Sequence, residues 1–275
     1  MKNIAQVGER QNQPQNNNSM KPLFKKQRQF VKAVLDSVHK YILYSGGIRS
    51  GKTIALTFAV ILFAIHNPGC LILLGAKSSK VLNNIVLREF FRWIDFLETH
   101  KQAENPYTFS PLLKKVKRDS SGITNIYFNN GSEVLLLGFD NSTRYEHIMG
   151  ATLDMVALSE TSFYDMDTLR ALDGRLSGTV SRCPKFIGDT NPSPDILNPC
   201  YKMFVEREHT KTVKVVHTTP FDNPYLDKEY LKKFDEFGLL ELREENNFKF
   251  TIRGTLHYLA DGPLQGALMG LHGTR

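Results

Sequence analysis

The segment Gly46-Gly47-Ile48-Arg49-Ser50-Gly51-Lys52-Thr53 follows the pattern G-x-x-x-x-G-K-[ST], and the chemistry of that pattern is phosphate binding. Glycines let the backbone curl until its N–H groups converge on phosphate oxygens at the positive end of a helix. The lysine adds a point charge on the β- and γ-phosphates, and the final hydroxyl ligates Mg²⁺. Lys52 and Thr53 stand in those two positions, with Gly46, Gly47, Ile48, Arg49, Ser50 and Gly51 forming the cradle. The same residues also describe a glycine turn with an incidental lysine. The flanks favour the phosphate loop: an apolar run, Tyr41 to Ser45, precedes it, and an apolar stretch, Lys52 to His66, follows it. They supply the strand and the helix that the motif requires.

A second group follows the short apolar run Met155-Val156-Ala157-Leu158. Glu160 lies just past its carboxyl end, the side of an open α/β sheet on which ligands bind. A glutamate there polarises the water that attacks a γ-phosphate; the alternative is that it caps the segment that follows. Ser159 holds the place where many P-loop ATPases carry an Mg²⁺-organising aspartate, and it brings only a hydroxyl to a metal site shared with Thr53. Asp154 precedes the run and stands at the wrong end of the strand to help. A third cluster, Gly188-Asp189-Thr190-Asn191-Pro192, follows the apolar run Lys185 to Gly188. Thr190 or Asn191 could sense a γ-phosphate there, and an ordinary turn has the same composition. Arg49, Arg144 and Arg175 are all candidates to stabilise charge on a transferring phosphoryl group, and the sequence does not choose among them.

The elements that must hold these residues are legible as apolar patterns. Helical spacing covers Gln27 to Val38; strands are expected at 41–45, 71–75, 123–128, 132–139, 155–158, 185–188 and 213–218. Helices are expected at Lys52–His66, as one long amphipathic stretch at Lys80–His100, near 165–173, around 197–207 and in pieces over 227–247. Asn130-Gly131 marks a hairpin bend. Alternating strands and helices with short connections indicate an α/β fold, a mostly parallel sheet with one antiparallel hairpin. The Gln/Asn-rich residues 1–20 cannot bury apolar area and are expected to be a disordered tail. Residues 21–253 form the expected P-loop domain, and 254–275 a short linker or tail.

Composition narrows the classes further. Of 275 residues, 41% are hydrophobic and 23% charged, which argues against a largely disordered, collagen-like or coiled-coil chain. The longest apolar stretch, Ile54 to Ile65, is shorter than the roughly 18 residues of a membrane span, and no secretory leader pattern is present. Three scattered cysteines fit a reducing compartment rather than a disulfide framework or zinc site. The net charge of +7 permits a polyanionic partner. Two basic clusters, Lys21, Lys25, Lys26 and Arg28, then Lys114, Lys115, Lys117 and Arg118, offer phosphate contacts or simply solvated faces. The histidines show no metal spacing, and Trp93 looks like a packing residue.

In this order the pieces resemble the ATPase half of a tailed-phage terminase large subunit over about residues 22 to 260. The resemblance rests on Gln27-x-x-Phe30 ahead of the loop, similar to that family's adenine-contacting Q motif; on GGIRSGKT, with an arginine inside the loop; and on VALSE, with its glutamate. It rests also on DTNPSPDILNPCYKMF, similar to the coupling segment, and on TTPFDNPYLDKEYLKKF after it. The resemblance implies a RecA-like P-loop ATPase fold with an additional catalytic glutamate, ATP and Mg²⁺ as ligands, and hydrolysis coupled to translocation of double-stranded DNA into a prohead. It assigns adenine to Gln27, phosphates and Mg²⁺ to Lys52 and Thr53, catalytic charge to Arg49, the water to Glu160 and coupling to Thr190 or Asn191. The portal protein, the small terminase subunit and ring-forming copies of the chain would be partners in the host cytoplasm. Family members continue into an RNase H-like nuclease. The sequence to Arg275 leads to the expectation of a truncated, split or frameshifted product without cleavage activity. Two competing functions remain: a P-loop phosphotransferase acting on a small molecule, and a nucleotide-binding remnant without turnover.

Overall fold

The computed structural model describes residues 21–104, 110–120, 122–140, 146, 150–193, 195–236, 240–243 and 249–252. The chain runs through α1 (Lys25–Leu35), β1 (Tyr41–Gly46), α2 (Lys52–His66), β2 (Leu71–Ala76), α3 (Ser79–Val81), a π-helical segment (Leu82–Val86) and α4 (Leu87–Glu104). There follow β3 (Leu113–Asp119), β4 (Gly122–Phe128), β5 (Glu133–Gly138), β6 (Met155–Leu158), α5 (Met166–Asp173), β7 (Lys185–Thr190) and a π turn (Tyr201–Val205). Last come β8 (Val213–Thr218), α6 (Lys228–Glu236) and the strand pair β9 (Leu240–Arg243) and β10 (Lys249–Ile252).

Eight strands form one sheet in the order β3-β4-β5-β2-β6-β7-β1-β8. Every pairing from β5 to β8 is parallel, and β3-β4 and β4-β5 are antiparallel. Parallel strands are covered on both faces and so read as unbroken apolar runs. Along β1, Ile42 and Tyr44 enter the core under α1, α2 and α4, and Tyr41 and Leu43 enter the core on the other face with α5 and the π turn. Trp93 is buried, packs at a tilt against Phe58 with ring centroids 4.3 Å apart and donates its indole N–H to the Ile54 carbonyl, locking α4 onto α2.

Some elements differ from the sequence patterns and others follow them. β3 carries Lys114, Lys115, Lys117 and Arg118, all exposed, and its lysines hid the strand. It is the outermost strand, and charge along an edge prevents further strand pairing. The expected long helix over Lys80–His100 is present as one continuous helical run from Ser79 to Glu104, with Leu82–Val86 as a π-helical bulge inside it. Around 197–207 helical backbone forms over 199–205, winding from Pro199–Cys200 into the π segment Tyr201–Val205, and Asn198 caps its start by accepting from the Cys200 N–H and donating to the Ser162 carbonyl. Within 227–247, α6 is helical, while Leu240–Arg243 pairs antiparallel with Lys249–Ile252. The bend at Asn130-Gly131 is present, with Gly131 at φ +89°, and the Asn130 amide caps the Ala64 carbonyl at the end of α2. The expected disordered tail 1–20 and the tail 254–275 lie outside the described residues. Among those described, no helix is long and apolar enough to cross a membrane.

At the amino edge of the sheet, Asp154 is 2% exposed and accepts from the N–H groups of Leu71, Val180 and Ser181. It is therefore a structural staple at the end of β6 opposite the phosphate loop. Nearby, buried Lys185 donates to the carbonyls of Asp36 and His39. Asp154→Ala removes the acceptor of three N–H groups, one of them buried, and is expected to cost about 3 kcal/mol of stability. Asp154→Asn, which keeps one acceptor oxygen, should cost clearly less; chemical denaturation of both variants checks the difference.

Candidate functional site

The parallel register decides which strand tips meet. Ser45 pairs with Thr190 and Leu158 with Gly188, so the residues following β1, β6 and β7 emerge side by side at the carboxyl edge. The phosphate loop leaves β1 at Gly46, where a Cβ would lie 2.2 Å from the Thr218 methyl on β8. The helix α2 is entered through Gly51 at φ +70°, and a Cβ there would meet the Gln27 amide at 2.5 Å. Glycine is required at both positions by close approach, and at the second also by its left-handed backbone.

Within the loop, Ser50 is fully buried and donates its hydroxyl to the Gly47 carbonyl at 2.7 Å. Lys52 Nζ donates to the same carbonyl at 2.7 Å and to the Asn191 side-chain oxygen at 2.9 Å. Burial pulls the Lys52 pKa below its ordinary value, and the carboxylates of Asp189 and Glu160 oppose that shift. Ile48 stands exposed on the outside of the loop. Arg49 adopts φ +62°, a conformation that costs a non-glycine residue about 1–2 kcal/mol. It is held there by the Asn223 side-chain amide, which donates to its carbonyl at 2.8 Å, and by its guanidinium lying 4.0 Å from the centre of the Tyr230 ring on α6.

Beyond β6 and β7, one carboxylate organises the site. Asp189 is 1% exposed and accepts from Thr53 Oγ1 at 3.2 Å on one oxygen. On the other oxygen it accepts from the Glu160 N–H at 2.7 Å and from Ser159 Oγ at 3.3 Å. Burial pushes its pKa up, while the Glu160 N–H, the Lys52 charge and the Thr53 hydroxyl pull the other way. Glu160 itself sits at φ +56°, ψ +53° ahead of a short 3-10 turn, Thr161–Phe163, and its side chain makes no capping hydrogen bond. The cap alternative therefore fails, and the partly exposed carboxylate stands next to Lys52 and Asp189.

The structure thus brings Lys52, Thr53, Ser159, Glu160 and Asn191 around one point. Asn191 and Thr190, left open by the sequence, separate: the Asn191 amide reaches Lys52, whereas the Thr190 hydroxyl turns back to the Asn191 carbonyl. Gln27 lies behind the loop, accepting from the Phe24 N–H and donating to the Gly51 carbonyl, so its amide ties α1 to the start of α2. Arg175 is at the other edge of the sheet, its carbonyl accepting from Leu153 before β6, too far from the loop to act on it within the chain. Arg144 lies outside the described residues. Sequence reasoning missed Asp189, yet a signal was present: it is the first carboxylate past the apolar run of β7, as Glu160 is past that of β6.

The hydroxyl of Thr53 and the carboxylate of Asp189 are hard oxygen donors in contact beside the loop, the donor chemistry that suits Mg²⁺ held jointly with phosphates. A phosphate loop between β1 and α2, in a mostly parallel sheet with polar groups at the adjacent strand tips, defines a P-loop nucleotide-binding protein of RecA-like fold. The sequence pattern of the family described as phage terminase large subunit matches residues 38–255. The chain belongs to that family. Solved structures agree at the level of fold. The large terminase of a thermophilic bacteriophage superposes with TM-score 0.62 at 18% identity, covering 84% of this chain and 53% of that one. The large terminase of bacteriophage HK97 gives 0.58 at 15%, covering 79% and 47%. The large terminase ATPase domain of Thermus phage P74-26, as a point mutant, gives 0.52 at 16%, covering 78% and 87%. The chain spans about half the length of the first two. The thermophilic phage protein is also known in complex with ADP and with ATP-gamma-S. No curated protein sequence matches the chain.

The left-handed backbone of Glu160 sets a stability test. Glu160→Gly removes the Cβ clash and is expected to raise stability by about 1 kcal/mol, visible as a higher Tm in thermal denaturation. A lower Tm would mean that the glutamate side chain, not the Asp189 contact, holds this turn.

Proposed function

We propose that this chain hydrolyses ATP and that hydrolysis drives double-stranded DNA into a phage prohead. Membership of the terminase large subunit family supports the reading, as do the ADP and ATP-gamma-S complexes of a protein with the same fold. The observation that carries it is the meeting of Lys52, Thr53, Asn191 and Asp189 with the projecting Glu160 at the tips of three adjacent strands. The loop amides and Lys52 bind the β- and γ-phosphates, and the family resemblance gives adenine to Gln27, whose amide would have to leave the Phe24 N–H and the Gly51 carbonyl to reach it. Glu160 takes a proton from the attacking water as general base. Asn191, whose side-chain oxygen accepts from Lys52, donates its amide N–H to the γ-phosphate when that phosphate is present and so reports it to β7. Mg²⁺ beside Thr53 neutralises phosphate charge when bound. Arg49 contributes charge at the γ-phosphate once released from the Tyr230 ring.

The partners follow from the family: DNA, the portal protein, the small terminase subunit and further copies of the chain in a ring, in the host cytoplasm. The exposed lysines of β3 and the basic start of α1 supply DNA phosphate contacts, which would be weakened by salt. A phosphotransferase would instead consume ATP only with an added metabolite.

Lys52→Ala is expected to abolish Mg²⁺-dependent ATP hydrolysis by weakening nucleotide binding. Glu160→Gln should lower turnover about 10²- to 10⁴-fold while ATP binding persists. Phosphate release with and without double-stranded DNA, and equilibrium nucleotide binding, measure both. Wild-type turnover in Glu160→Gln would refute the role given to that carboxylate.

A further inference from the structure

The site contains a substitution and, one strand away, its apparent counterweight. Ser159 on the β6 tip has no charge, and its hydroxyl points at Asp189 on the β7 tip, 3.3 Å away. The register explains how these two positions exchange. Leu158 and Gly188 are paired across the parallel strands, so Ser159 and Asp189 are the next residues on each strand, about one interstrand spacing of 4.8 Å apart. A carboxylate relocated from the first position to the second stays within reach of the Thr53 hydroxyl.

We propose that Asp189 on β7 is the carboxylate that holds Mg²⁺ beside Thr53, the part that an acidic residue at Ser159 would otherwise play. The inference rests on the ATPase reading above and adds to it the identity of the metal-holding residue. Asp189 is 1% exposed, and among the described residues it forms no ion pair; the hydrogen bonds of the nearby Lys52 go to Gly47 and Asn191. Its contacts are two hydroxyls and one backbone N–H. A carboxylate has about four acceptor positions, so one remains for a cation or its bound water. Buried charges are paired or coordinate metals, and the phosphate-loop hydroxyl in contact with Asp189 is the other half of a magnesium site. Ser159 and the Glu160 N–H then act as positioning groups that aim the carboxylate.

The rival role for Asp189 is purely structural, pinning Glu160 and Thr53, and magnesium-dependent affinity separates the two. The full chain is titrated with ATP-gamma-S in EDTA and again in excess Mg²⁺, and the ratio of the two affinities is the readout. In Asp189→Asn, which keeps the size of the side chain and an acceptor for the Glu160 N–H, the ratio is expected to fall about tenfold or more relative to wild type. The affinity in EDTA should change by less than the ratio does. The exchange variant Ser159→Asp/Asp189→Ser should recover the magnesium gain. An unchanged ratio in Asp189→Asn, or an equal loss with and without Mg²⁺, overturns the proposal. If Asp189→Asn does not fold, the exchange variant alone decides: folded with the magnesium gain supports the proposal, and folded without it, or unfolded, overturns it. Wild-type chain that binds no ATP-gamma-S under either condition would instead refute the ATPase reading, a result distinct from wild-type binding with an unaltered Asp189→Asn ratio.

Discussion

The carboxylate of Asp189 is the interaction on which the site depends. Through it, the helix carrying Thr53, the tip of β6 and the tip of β7 are tied at one point by three hydrogen bonds. Placing a carboxylate there is costly, since burial disfavours the charged form. Hydrogen bonds and the nearby Lys52 charge offset that cost, and Asp189 in turn opposes the desolvation of Lys52. Each charge favours the other against the shared cost of burial.

The same carboxylate accounts for the strain beside it. Glu160 and Arg49 are the described non-glycine residues with positive φ, and both flank the site. Left-handed backbone persists where surrounding contacts over-determine it. For Glu160 the contact is the 2.7 Å bond from its N–H to Asp189, and for Arg49 it is the Asn223 amide and the Tyr230 ring. The turn after β6 thus projects the glutamate side chain outward instead of folding it into a cap.

The sheet divides its two edges between these tasks and plain stability. At the amino edge, Asp154 and Lys185 bind loop backbone groups. At the carboxyl edge, polar groups of the loop and of the β6 and β7 tips face one another, which is where open α/β sheets bind ligands. One carboxylate on either side of β6, Asp154 before it and Glu160 after it, serves opposite purposes because the strand separates them by its whole length.

By itself the sequence determined what is local. A phosphate loop is written in consecutive residues, and its strand and helix follow from unbroken apolar runs, so β1, α2, β2 and the parallel class were legible. The hidden strand β3 was not, because its exposed lysines overrode the hydrophobic period. Lys52, Thr53 and Glu160 could be named from spacing alone. The importance of Asp189 could not, because it lies 136 positions from Thr53 and 29 from Glu160. Only the strand order β6-β7-β1, with its parallel register, decides that the residue after Gly188 meets the residue after Leu158 and the first turn of α2. Neighbourhood across a parallel sheet is set by crossovers that pass over intervening strands, and no pattern along the chain encodes which tips will touch.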